Sequence, residues 1–104
     1  MKVDLSITKT HIKKGVKTDP NGCPIANSIK DKIKNLKRVS VFGDYATIIV
    51  SKNKRTQYLR AKLNELASSF VHNFDGGMTV KPFKMTLNFT RKAAKNAFSV
   101  STKE

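Results

Sequence analysis

"TQYLRAKLNELASSFVHNFDGG", residues 56–77, decides how the rest of the chain is read. Leu59, Leu63, Leu66, Ala67, Phe70 and Phe74 recur at helical spacing over four turns, which places them on one face of a helix. Thr56 can offer a capping oxygen at the start, and Asp75-Gly76-Gly77 supplies the stop. The stretch therefore predicts a long second helix that carries Arg60 and Lys62, with His72 off the apolar stripe and facing solvent.

The flanking segments read differently. In "KVDLSIT", residues 2–8, Val3, Leu5 and Ile7 alternate with Lys2, Asp4, Ser6 and Thr8, the period of a half-buried strand. "KPFKMTLNFT", residues 81–90, repeats the pattern, with Phe83, Met85, Leu87 and Phe89 inward and Lys84, Thr86, Asn88 and Thr90 outward. Thr8 or Thr10 can cap a single helical turn that Gly15 stops, and residues 16–22 are turn chemistry throughout. Pro24 suits the first helical position, with Cys23 as N-cap and Ile25, Ile29, Ile33 and Leu36 as the apolar stripe of a helix over about 24–37. "RVSVFGDYATIIVSK", residues 38–52, reads as a hairpin turning at Gly43-Asp44, and Lys52-Asn53-Lys54-Arg55 as a basic loop.

The order is β-α-β-β-α-β. It predicts an α+β fold: a single-domain two-layer sandwich over residues 1–90, ferredoxin-like or a related four-stranded sheet with two helices on one face. A mixed sheet of the same elements in another order is the alternative. Residues 91–104 read as a basic tail, forming a short helix or lacking order.

Composition bounds the function. With 104 residues the chain suits one domain and no deep cleft between domains. Lys and Arg number 21 against 7 Asp and Glu, a net charge of +14. Such an excess repels itself in a compact state, and a polyanion or acidic partner would offset that repulsion. Compositional drift toward lysine is the competing explanation. One cysteine excludes an internal disulfide and a Cys-rich zinc site, and the cytoplasm is the expected compartment. No apolar run reaches the ~20 residues of a membrane span, and no segment reads as a signal peptide.

Three constellations could carry chemistry. A bare sheet face could bind bases, but the outward residues of the first and last strands include no aromatic. Phe42 and Tyr45 are the only platform rings, so the aromatic-rich signature of an RNA-recognition motif is missing. A distributed basic surface is the stronger candidate: Lys52, Lys54 and Arg55 in one loop, Arg60 and Lys62 on the second helix, and Arg91, Lys92 and Lys95 in the tail. The third is the Cys23 thiol at a helix start, with His11 or His72 as its base; a structural role for Cys23 and Pro24 outweighs it, because nothing supplies a third orienting group or an oxyanion loop. The two histidines, one cysteine and scattered acids offer no metal-ligand spacing, and nothing indicates a cofactor. The acids do not pair at hydrolase spacing.

"HIKKG", "CPIANSIKD", "FVHNFDGG" and "VKPFKMTLNF" together resemble a group of small bacteriophage-encoded proteins over about residues 3–89. The resemblance implies a phage or prophage setting and transfers no catalytic residue. With the charge, it leads to the expectation of a non-enzymatic accessory protein that binds nucleic acid, or a nucleoprotein complex, through lysines. The alternative is an inhibitor that binds an acidic host protein; an enzyme working through Cys23 comes last.

Overall fold

A computed structural model describes residues 1–91. Lys92, Lys95 and the rest of the basic tail lie outside the described residues. The elements in chain order are β1 (Lys2–Ile7), α1 (Lys9–Lys14), α2 (Pro24–Lys32), β2 (Leu36–Val41), β3 (Tyr45–Lys52), β4 (Arg55–Lys62), α3 (Glu65–Asp75), β5 (Phe83–Asn88) and β6 (Thr90–Arg91). The chain is a small α+β domain.

The decisive stretch divides in two. Residues 55–62 form β4, paired antiparallel along its full length with β3. Helix α3 starts only after Asn64, whose Oδ1 accepts a 2.8 Å hydrogen bond from the Ala67 amide. Thr56 is therefore a strand residue and caps nothing. Leu59, Ala61 and Leu63 are buried while Tyr58, Arg60 and Lys62 are exposed, which is period two. The four-residue step from Leu59 to Leu63 fits both periods, since an even step also stays on one face of a strand. Leu66, assigned to the helical stripe, is 62% exposed. Ala67, Phe70, Val71 and Phe74 carry the true buried face of α3.

Helix α2 is also shorter than its apolar spacing suggests. It ends at Lys32, where Ile33 turns extended, and Leu36 belongs to β2. Its start matches expectation: the Cys23 sulfur accepts from the Ala26 amide, and Pro24 occupies the first turn, where a missing N–H costs nothing. Thr8 caps α1 and Gly15 ends it.

The strands form a two-stranded sheet, β1-β5, and a four-stranded sheet, β2-β3-β4-β6, with all pairs antiparallel. The β1–β5 pairing is that of a ferredoxin-like fold; the remaining order is not, because the extra strand β4 takes the free edge of β3. Only Phe89 separates β5 from β6, so one bent strand serves both sheets. Phe89 is 1% exposed, and its backbone exchanges hydrogen bonds with Met1, N–H to O at 2.8 Å and O from the Met1 nitrogen at 2.9 Å.

The inner faces of both sheets join Ile25, Ala26 and Ile29 of α2 and the buried face of α3 in one core. Helix α2 packs on both β1 and β2. A Cβ on Gly15 would lie 2.8 Å from the Pro24 ring and 2.9 Å from Phe74, so the α1–α2 connection is close-packed onto α3. Pro20 accepts from the Val41 amide, and the Asn21 side chain donates to the Val39 carbonyl, which covers the edge of β2.

Candidate nucleic-acid interface

Moving β4 from helix to strand changes which side chains share a surface. Along β4 the outward positions are Thr56, Tyr58, Arg60 and Lys62, and their β3 partners in register are Ser51, Ile49, Thr47 and Tyr45. Arg38 pairs with Ile49 and Ser40 with Thr47, so both lie on the same outer face. Phe42 continues that row: its amide donates to the Tyr45 carbonyl, and its ring centroid is 5.0 Å from that of Tyr45. The face thus carries Phe42, Tyr45 and Tyr58 among Arg38, Arg60 and Lys62. Phe42 is 39% exposed and Tyr58 57%. The Arg60 guanidinium lies 4.3 Å from the Tyr45 centroid, within cation–π range.

The β3–β4 turn carries further positive charge, with Lys52 and Arg55 on the reverse of this face, the side of Val50 and Leu59. Lys52 and Arg55 are direct cross-strand partners, and like charges so placed destabilise a ladder. Asn53 and Lys54 both have positive φ, 51° and 64°, as a two-residue primed turn requires. Asn tolerates that region, and Gly is favoured where Lys54 stands, so a lysine there holds backbone strain. Among the described residues the one ion pair joins His11 to Asp31; no Lys or Arg pairs with a carboxylate. Asp44, exposed at the β2–β3 turn, is the acid beside this surface.

The basic residues singled out in the sequence divide accordingly. Lys52, Lys54 and Arg55 share the hairpin tip, and Arg60 and Lys62 share the outer face of β4 rather than a helix. Arg91 does not join Arg60 and Lys62: it pairs with Leu59, whose side chain points into the core, so it lies on the opposite side of the sheet, where it lines a groove together with Lys52. Lys92 lies outside the described residues. Arg38 and Tyr58 were missed. The available signal was Asn53, a primed-turn residue between two runs that each alternate outward and inward.

Cys23 is 4% exposed. Burial pushes its thiol above the ordinary value, despite the lowering effect of the Ala26 and Ile25 amides. A reactive thiol needs the opposite shift. His11 is committed elsewhere: its Nδ1 accepts from the Thr8 amide at 3.0 Å, and its Nε2 lies 2.6 Å from Asp31 Oδ2. His72 is exposed, with its ring against the Gly43 turn. Among the described residues no three His, Cys, Asp or Glu side chains cluster to hold a metal, and no helix is long and apolar enough to cross a membrane.

Comparison with protein-family models, curated proteins and solved structures finds no match, so the functional reading rests on the chain's own residues.

Proposed function

We propose that the protein binds nucleic acid without catalysis, through Lys52, Lys54, Arg55, Arg60 and Lys62, with Arg38 beside them. The observation that carries this reading is the β3–β4 hairpin. It accumulates two local costs, a like-charged cross-strand pair and a left-handed lysine, and no described carboxylate offsets either. Costs of this kind persist where function selects them, and closely spaced cations facing water suit phosphates. The role fits the phage accessory setting that the sequence resemblance implies.

The test is fluorescence-anisotropy titration with 20-nucleotide single- and double-stranded oligonucleotides at two salt concentrations. Five phosphate contacts predict a loss of affinity between 50 and 200 mM salt of roughly a hundredfold for the single strand and roughly five-hundredfold for the duplex. Absence of binding to both forms at low salt overturns the reading.

A second reading, an inhibitor that docks on a host protein, draws on a different surface. Leu66 is 62% exposed beside a groove lined by Phe70, Val80 and Phe83. A single stoichiometric protein captured from nuclease-treated host lysate, and lost on Leu66→Glu, would favour it.

A further inference from the structure

Resting on that reading, we infer that the ligand is single-stranded, and that its bases stack on the outer face of the β3–β4 ladder while Arg38 and Lys62 on that face, with Lys54 at the turn, hold its phosphates. Charge alone does not distinguish strand state; the aromatic residues do. In a duplex the base faces are stacked on one another and unavailable to a protein ring. In a single strand every base offers a π-face, so exposed rings set among cations form a sequence-tolerant platform.

The order of groups along the ladder suits such a chain. Phe42 and Tyr45 lie at one end, level with Lys62. Arg60, opposite Thr47, comes next, and Tyr58, opposite Ile49, follows it. Thr56, opposite Ser51, closes the outer row; Lys54 stands in the turn beyond it, while Lys52 and Arg55 lie on the reverse face. Tyr45 and Tyr58 are four residues apart in register, about 13 Å along the strands. Tyr45 itself is enclosed, with Phe42 tilted against it and the Arg60 guanidinium over its ring. Its part is to hold Arg60 flat, which leaves the outer guanidinium plane free to stack on a base. Tyr58, more than half exposed, has no such partner among the described residues and offers its ring directly.

The chain contains two tyrosines and no tryptophan, so its intrinsic fluorescence reports on Tyr45 and Tyr58 alone. The experiment compares (dT)20, (rU)20, a 20-mer of abasic sites and a 20-base-pair duplex, by tyrosine quenching and by anisotropy of labelled ligand. The expected result is that (dT)20 or (rU)20 binds about tenfold or more tighter than the abasic chain and quenches the tyrosines. The two homopolymers tell DNA preference from RNA preference. Tyr58→Ala should remove most of the advantage over the abasic chain, and Tyr58→Phe should keep it. Both variants should melt like the parent, because the ring is exposed. Equal affinity for (dT)20, (rU)20 and the abasic chain, or a preference for duplex, overturns the inference and leaves phosphate binding intact. Failure of all four ligands to bind overturns the underlying reading instead.

Discussion

Lys52 and Arg55 face one another across the last rung of the β3–β4 ladder, two positive charges at the position where opposite charges would stabilise the hairpin. Arg55→Glu converts the pair from repulsive to attractive. The melting temperature should rise by roughly 2 °C, while affinity for a 20-mer at low salt should fall severalfold. Differential scanning fluorimetry and anisotropy on the same preparation read both. A stabilised variant that binds as well as the parent would remove the tip from the interface.

Lys54 provides a second separation of stability from binding. Its left-handed backbone costs an L-residue roughly 1–2 kcal/mol, which glycine avoids. Glycine loses more chain entropy on folding, so Lys54→Gly should gain only about 0.5–1 kcal/mol in urea denaturation. The logarithmic salt slope of binding should shrink by about one contact.

Gly15 makes the opposite case, a glycine kept for space rather than for its φ. Gly15→Ala places a methyl 2.8 Å from Pro24 and 2.9 Å from Phe74, and neither ring can retreat without disturbing the core. Overpacking of this kind costs about 1–3 kcal/mol, read as a lower urea midpoint with an unchanged m-value.

Cys23 sets a pH dependence. Its folded-state pKa lies above the ordinary value because burial disfavours the thiolate. Its contribution to stability is therefore complete below the ordinary thiol pKa and is lost as pH rises through the raised one. Alkylation of the native protein at neutral pH should be slow, and it should become fast in denaturant. The alkaline loss of stability should diminish in Cys23→Ser, whose hydroxyl does not titrate there and can still accept from the Ala26 amide. Rapid native labelling would contradict the burial of the sulfur.

The sequence was most legible where local chemistry has one solution. The alternation of Val3, Leu5 and Ile7 and of Met85, Leu87 and Phe89 marks both strands; their antiparallel pairing followed only from the ferredoxin-like order, one of two left open, and the structure has it. Cys23-Pro24 and Gly76 marked a helix start and a helix end. Where two periods share a spacing, the reading failed. Leu59 to Leu63 fits a helix until the partner strand is known; Ile33 to Leu36 has helical spacing alone, yet Leu36 left the helix because β3 offered a ladder on that side as well. The interface inherited that error. With Tyr58 assigned to a helix, the outer sheet face seemed to hold too few rings. The hairpin lysines were legible as charge but not as strain, since φ at Lys54 follows from a turn type that the sequence, lacking the usual glycine, conceals.

The Met1–Phe89 backbone bonds join residues 88 positions apart, and β1 has β5 as its ladder partner. During synthesis β1 therefore waits, with Val3, Leu5 and Ile7 unsheltered, until β5 has left the ribosome. The β2–β3–β4 meander needs only neighbours and can form first. The fold should accordingly be completed only once β5 is available, and any fragment ending before Phe89 should expose a sticky apolar strand to whatever else the cell contains.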